Sequence, residues 1–252
     1  LNAKVPDFCH LPLLFGPDGK KLSKRHGDTS VSSFRERGVL PETMFNYMSI
    51  LGWSPGNDIE IFDKEFAISN FDLKNVLGNP AIFDTQKLLW MNGQYIREFD
   101  GKTFNKIARD TIETSLSREL FSEEIERINL IVSVVQERLE TLNDLTEQVK
   151  FLLDEPFNVD ENEWDEVNSK AAQDYLTNIR NQFKTMKVFE LEKIEAMMRE
   201  ELKKLNLKPK EGFQAARVAI TGTKISPPLF ESIYALGQSS TIARIAEKID
   251  NL

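Results

Sequence analysis

Apolar residues recur every three or four positions through most of this chain, from about residue 30 to its end. This spacing places them on one face of a helix, so it predicts a series of amphipathic helices. One such face comprises Leu191, Ile194, Met198, Leu202 and Leu205. A preceding helical face comprises Val167, Ala171, Tyr175, Ile179, Phe183 and Met186. The last helix is lined by Ile242, Ile245 and Ile249, with Ser239 or Ser240 expected as its N-cap.

Glycine and proline divide this pattern into short helices. Helix stop signals are expected at Gly38, Gly52 and Gly237. Three prolines stand where proline can open a helix, namely Pro41, Pro209 and Pro228. Alternation typical of a strand is confined to DIEIFD at residues 58–63. The sequence therefore predicts an all-α fold of about ten helices over residues 31–252, with breaks near residue 100 and at 155–163.

Composition limits the function classes. The 252-residue chain has one cysteine, Cys9, and two histidines, His10 and His26. A single cysteine cannot form an intramolecular disulfide, and these three residues are too few for a Cys/His zinc site. No apolar run approaches the roughly 20 residues that span a bilayer, so no membrane segment is expected. The net charge of −8 is unevenly distributed. Residues 113–174 hold 5 basic and 17 acidic side chains, whereas residues 175–252 hold 13 basic and 9 acidic ones. Charge thus permits RNA binding at the end of the chain without predicting it.

The stretch GPDGKKLSKRHGD, residues 16–28, combines glycines with a dense group of cations. A basic loop of this kind can stabilise the charge on a transferring phosphoryl or adenylyl group. It does not match the Walker A pattern. Taken alone it is equally compatible with a solvated surface loop, and that alternative stays open at this point.

The neighbouring residues resemble one family. The block FCHLPLLFGPDGKKLSKRHGD and the later ILGW are similar to the K-[LMI]-S-K-[RS] region of class I aminoacyl-tRNA synthetases, in its glutamyl branch. The resemblance continues in order through residues 79–97, 135–142 and 216–237, and so extends over essentially the whole chain. It implies an ATP-contacting loop comprising Lys21, Ser23, Lys24 and Arg25, with Lys24 as the catalytic residue that stabilises the triphosphate.

The same resemblance implies an anticodon-binding site near the end of the chain. Its expected residues are Arg217, Ser226, Pro227, Leu229, Phe230 and, on a looser match, Arg138. Core packing remains an alternative role for Leu229 and Phe230, as does a solvated surface position for either arginine. Arg138 has no carboxylate three or four residues away, so a local helical ion pair is not available to it.

The resemblance also implies an organisation into four parts. We expect a catalytic-domain remnant at 1–30, a helical stem-contact domain at 31–100, and two helical anticodon-binding subdomains at 101–160 and 161–252. The H-[IV]-G-H signature of class I enzymes is absent from the sequence, so we expect a C-terminal portion that is inactive alone. The bacterial-type enzyme would use ATP and Mg²⁺, with no metal site in this portion and neither ligand bound to it.

The expected partners are tRNA(Glu), with tRNA(Gln) as a second candidate, and the missing catalytic half. The protein is expected to be a monomer in the bacterial cytoplasm, with a plastid or mitochondrial matrix as alternatives. A free-standing helical tRNA-binding adaptor is the competing hypothesis.

Overall fold

The computed structural model describes residues 4–6, 8–23, 30–153 and 157–250. Within these ranges the chain forms fourteen α-helices, two short 3-10 turns and two strands of two residues each. The all-α prediction is therefore confirmed, with more and shorter helices than the periodicity indicated. None of the described helices is long and apolar enough to cross a membrane.

The described chain divides into two compact units. The first comprises residues 1–99 together with 139–143, and the second comprises residues 100–138 and 144–252. The predicted further division near residue 160 stays a prediction.

The first unit contains both strands and four helices. Its elements in order are β1 (Leu14–Phe15), α1 (Val31–Glu36), α2 (Pro41–Ile50), α3 (Lys64–Asn70), a 3-10 turn (Leu73–Asn75), β2 (Ala81–Ile82) and α4 (Thr85–Glu98). Strands β1 and β2 pair in parallel, with Leu14 opposite Ala81. Residues 58–63, predicted as a strand, are irregular and lead into the Asp63 N-cap of α3. No strand in the described ranges pairs with them, so their alternation does not produce a ladder.

A buried asparagine organises the first unit. The side-chain oxygen of Asn92 on α4 accepts hydrogen bonds from the Leu40 amide (2.8 Å) and the Thr43 hydroxyl (2.9 Å). Its amide nitrogen donates to the carbonyl oxygens of Gly38 (3.3 Å) and Glu140 (2.7 Å). One side chain thus satisfies four groups around the start of α2 and ties residues 139–143 to this unit.

The second unit contains ten helices and the remaining 3-10 turn. Its elements are α5 (Gly101–Leu116), α6 (Ser122–Asn129), α7 (Val132–Gln136), α8 (Asp144–Val149), a 3-10 turn (Lys150–Leu152), α9 (Glu161–Val167), α10 (Lys170–Thr185), α11 (Leu191–Lys204), α12 (Pro209–Thr221), α13 (Leu229–Leu236) and α14 (Gln238–Asp250). Helix α10 packs against α11, α12 and α14. Its buried face, led by Tyr175, Ile179 and Phe183, forms much of this core.

Two local predictions in this unit are wrong. The face expected to run from Val167 to Met186 belongs to two helices, because α9 ends at Val167 and Ser169 caps a new helix, α10. Helix α14 begins at Gln238, directly after Gly237, so Ser239 and Ser240 lie in its first turn and not at its N-cap. Gly237, with φ of +87°, ends α13 as expected.

Candidate functional site

A tight turn displays the first part of the basic loop. The Gly16 amide donates to the Lys20 carbonyl (2.8 Å), and Leu22 donates back to Leu14 (2.8 Å). Gly19 has φ of +71°, a conformation that favours glycine. Lys21 consequently sits on the returning arm, paired with Phe15 and exposed to solvent.

The rest of this loop is only partly described. Ser23 is exposed. Lys24 and Arg25, the remaining predicted ATP contacts, lie outside the described residues. Among the residues that the structure does describe, no group of three or more His, Cys, Asp or Glu side chains could hold a metal ion.

The second candidate site is built around Arg217 on α12. Its Nη1 atom donates to the Ser226 carbonyl (3.2 Å), the Ser226 hydroxyl (2.5 Å) and the Pro227 carbonyl (2.6 Å). In the described part of the chain, all hydrogen bonds of this guanidinium come from Nη1. The Nη2 and Nε donors therefore remain available, while Nη1 fixes the plane of the group.

The turn that holds Arg217 is itself well fixed. Gly222 ends α12 with φ of +90°, and a Cβ there would lie 2.6 Å from the Asn158 carbonyl oxygen. The Thr223 hydroxyl donates to the Ile225 carbonyl (2.8 Å). Only a glycine can make this close approach, so the chain reverses sharply and brings Ser226 back over α12.

The predicted site residues of this turn differ in accessibility. Ser226 is buried, at 9% exposure, and so are Pro227 and Leu229. Leu229 opens α13 and packs inward at 5% exposure, whereas Phe230 beside it is half-buried. Of the apolar residues predicted to contact a base, Phe230 thus offers the more accessible surface.

Arg138 is close enough to Arg217 for their charges to interact. It follows α7, is exposed, and its amide donates to the Val135 carbonyl (2.9 Å). Burial lowers the pKa of Arg217, and the charge of Arg138 lowers that pKa further, while Glu231 opposes both effects. The structure therefore brings together two arginines that are 79 residues apart in sequence.

The carboxylate beside Arg217 has an unusual environment. Glu231 is the third residue of α13, a position from which a carboxylate commonly accepts a hydrogen bond from the N-cap amide. The N-cap here is Pro228, which has no amide hydrogen. Accordingly, the buried Oε2 atom of Glu231 has no hydrogen-bond partner among the described residues. Sequence reasoning did not single out Glu231, although the Pro-x-x-Glu spacing was visible.

An arginine that sequence reasoning also missed contacts Phe230. The guanidinium of Arg199 on α11 lies 5.3 Å from the Phe230 ring centroid and 5.5 Å from that of Phe213. No local signal reveals this contact, because it depends on how α11, α12 and α13 pack. Around the turn 226–228 the structure thus places three arginines, the half-buried rings of Phe213 and Phe230, and the Glu231 carboxylate.

Comparison with known families identifies this part of the chain. Residues 102–249 match the family described as "Anticodon binding domain". The chain belongs to this anticodon-binding domain family. Residues 1–90 match a second family, "tRNA synthetases class I (E and Q), catalytic domain". The anticodon-binding match includes Arg138, Arg199, Arg217 and Phe230.

Full-length relatives agree with both matches. The chain is 36% identical over 252 residues to "Glutamate--tRNA ligase 1" of Caldanaerobacter subterraneus subsp. tengcongensis, covering 99% of this chain and 52% of that protein. It is 32% identical to "Glutamate--tRNA ligase" of Natranaerobius thermophilus, and the match covers 100% of this chain and 52% of that protein. The chain also superposes with a TM-score of 0.82, at 25% identity, on a glutamate tRNA ligase structure from Elizabethkingia meningosepticum "in complex with its amino acid". This match covers 98% of this chain and 52% of that chain.

The resemblance to bacterial glutamyl-tRNA synthetases is thus confirmed. The chain spans about half the length of the curated relatives that it matches.

Proposed function

We propose that this chain binds tRNA and reads its anticodon, as part of a protein that ligates glutamate to tRNA(Glu). The observation that carries the proposal is the fixed guanidinium of Arg217. Nη1 is held by the turn at Ser226 and Pro227, and two further donors are left to meet a base or a phosphate. Specific RNA recognition generally uses such arginines together with aromatic surfaces for unstacked bases.

The electrostatics of the site support an anionic partner. The positive charges of Arg138 and Arg217 repel each other, and this repulsion lowers the pKa of Arg217. The carboxylate of Glu231 has the opposite effect on that pKa. A phosphate or an electron-rich base edge arriving between the two arginines would relieve this repulsion. Phe230 lies at the edge of the same turn and supplies a half-buried ring for stacking.

The basic loop extends the proposal to the whole protein. There, Lys21, Ser23, Lys24 and Arg25 would contact ATP, which the whole protein would use together with Mg²⁺, and Lys24 would stabilise the triphosphate as the glutamyl adenylate forms. The match of residues 1–90 to a catalytic domain supports this assignment over a free-standing adaptor. In the whole protein, Lys24→Ala should slow ATP–pyrophosphate exchange and leave tRNA affinity unchanged.

A substitution at Arg217 tests anticodon reading. Arg217→Lys keeps the charge but loses the planar fork of donors. We expect this variant to bind tRNA(Glu) with reduced discrimination between anticodons, by about 1–3 kcal/mol at the base that Arg217 contacts. The measurement is the affinity of the chain for the natural transcript and for transcripts with single anticodon changes.

Arg244 provides the matched control. It is also half-buried, and it donates to the carbonyl oxygens of Ile220 (2.6 Å) and Phe151 (2.7 Å). Arg244→Lys should lower the thermal midpoint without changing anticodon discrimination. Unchanged discrimination in Arg217→Lys would show that Arg217 does not read the anticodon.

A further inference from the structure

Three side chains from three helices form a compact cluster beside the turn 226–228. The rings of Phe213 on α12 and Phe230 on α13 meet edge to face, with centroids 5.3 Å apart and an interplanar angle of 89°. The Arg199 guanidinium from α11 lies within 5.5 Å of both ring centroids. A cation at this distance from an aromatic ring is attracted by its π system.

Arg199 is itself held in place from behind. Its Nε atom donates to Oε1 of Glu195 one turn earlier on α11, at 2.7 Å, and its Nη2 atom lies 2.6 Å from the same oxygen. These two contacts fix the plane of the guanidinium and compensate its charge. A compensated charge is poorly suited to dominate a phosphate contact, although the fixed group can still restrain the rings that it touches.

Phe230 needs such a restraint if it is to serve as a stacking surface. It is half-buried at the start of a helix of eight residues, and it meets the Phe213 ring edge to face. A stacking surface that is already ordered avoids the entropic cost of ordering a side chain on binding. Arg199 adds a contact to this ring from a neighbouring helix, α11.

We propose that Arg199 is a positioning residue that holds the Phe230 ring ready for a base of the tRNA anticodon. This inference rests on the proposed function, because it assumes that Phe230 stacks on RNA. Arg199 acts through Phe230 and makes no required contact with the RNA itself. Its contribution should therefore disappear when Phe230 is absent.

A double-mutant cycle tests this dependence. Tight coupling between two residues appears as non-additivity of their substitutions. We would measure the affinity for a tRNA(Glu) transcript of the wild-type chain, Arg199→Ala, Phe230→Ala and the double variant. Arg199→Ala should weaken binding roughly 3- to 10-fold, which is the order of the cost of immobilising one side chain on binding. In the Phe230→Ala background the same substitution should cause no further loss.

Arg109 provides a matched control for charge and for the local ion pair. It pairs through Nε with Glu113 one turn later on α5, at 2.9 Å, like the pair of Arg199 with Glu195. Arg109→Ala should leave tRNA affinity unchanged. Arg199→Lys retains a cation above the rings and should recover part of the affinity lost in Arg199→Ala.

Three results would overturn the inference. The first is an equal loss of affinity from Arg199→Ala in the wild-type and Phe230→Ala backgrounds. The second is a fall of about one in the slope of log affinity against log salt concentration for Arg199→Ala, which would indicate a direct phosphate contact. The third is full affinity in Phe230→Ala while Arg217→Lys loses discrimination, which would reject the role of Arg199 and leave the proposed function standing. If neither Phe230→Ala nor Arg217→Lys changed binding, the proposed function would fail as well.

Discussion

The Nη1 atom of Arg217 lies 2.6 Å from the carbonyl oxygen of Pro227, across a turn that begins at a glycine. This contact links a helix to the loop that follows it, and it leaves the opposite edge of the guanidinium available. The main chain, and not only a side chain, therefore sets the orientation of the residue that we propose as a base reader.

Removing the side-chain acceptor at this turn should have a small effect. Ser226→Ala deletes one of three oxygens around Nη1, but the carbonyl groups of Ser226 and Pro227 remain. We expect a loss of about 0.5–1.5 kcal/mol in unfolding free energy, the usual net value of one hydrogen bond. Urea unfolding measures the stability, and transcript binding measures discrimination, which should persist. If Ser226→Ala abolished discrimination as fully as Arg217→Lys, the main chain would not be fixing Arg217.

Replacing Asn92 should destabilise the fold far more than replacing Ser226. Asn92→Leu has a similar volume but leaves the Leu40 amide and the Glu140 carbonyl without their side-chain partner. Each buried group left unpaired costs about 1–3 kcal/mol, so the first unit should lose several kcal/mol of stability. Native-state hydrogen exchange at the Leu40 amide would detect the loss locally. Exchange as slow as in the wild type would contradict this account.

Gly93 tests how closely residues 139–143 approach α4. A Cβ at this position would lie 2.8 Å from the Leu139 carbonyl oxygen, which is main chain and cannot rotate away. Gly93→Ala should therefore be destabilising by about 1–3 kcal/mol, despite a helix-propensity gain of about 1 kcal/mol.

Gly101 is the matched control, because it is also helical and a Cβ there meets nothing within 4 Å. Gly101→Ala should be neutral or slightly stabilising when both variants are compared with the wild type by thermal unfolding. Equal effects of the two substitutions would show that the approach of Leu139 is not tight.

The free energy of unfolding should fall as the pH rises above about 10. Burial raises the pKa of Tyr47 to about 12, and burial also raises that of Tyr95 to about 12. An unfolded tyrosine loses its proton near pH 10, so between about pH 10 and 12 the folded state binds more protons than the unfolded state. The contribution is complete below about pH 10 and is lost as the pH rises towards 12.

Urea unfolding across this pH window measures the effect. Tyr47→Phe removes one of the buried phenols and should flatten the fall in stability, although Tyr175, whose pKa burial also raises, remains. This variant also loses the hydrogen bonds between the Tyr47 hydroxyl and the main chain of Asp84, so its stability should be lower already at neutral pH. A pH dependence parallel to that of the wild type would contradict the prediction.

Local patterns predicted the helices well and the long-range pairing poorly. The face of α11 from Leu191 to Leu202 lies where its three- and four-residue steps put it, because amphipathic periodicity is a local property. Leu205, the last residue of the predicted face, is instead the exposed C-cap of α11. The parallel pairing of Leu14 with Ala81 and the clustering of residues 139–143 with the first unit were not predicted. Both join segments far apart in the chain, and no local spacing encodes such contacts.

The candidate site shows the same limit. Family resemblance selected Arg217 and Ser226, and the structure places them in direct contact. It did not select Arg199, whose position over Phe230 results from the packing of α11 against α13. Burial also separates the predicted residues, since Leu229 faces the core while Phe230 remains accessible.

The most direct test of the central claim is the affinity of the wild-type chain for tRNA(Glu) transcripts that differ at one anticodon base, measured over a range of salt concentrations. Anticodon reading predicts that at least one change weakens binding by about 1–3 kcal/mol at every salt concentration, while overall affinity falls with salt. Equal affinity for all transcripts would contradict the claim, because binding would then depend on phosphate charge alone.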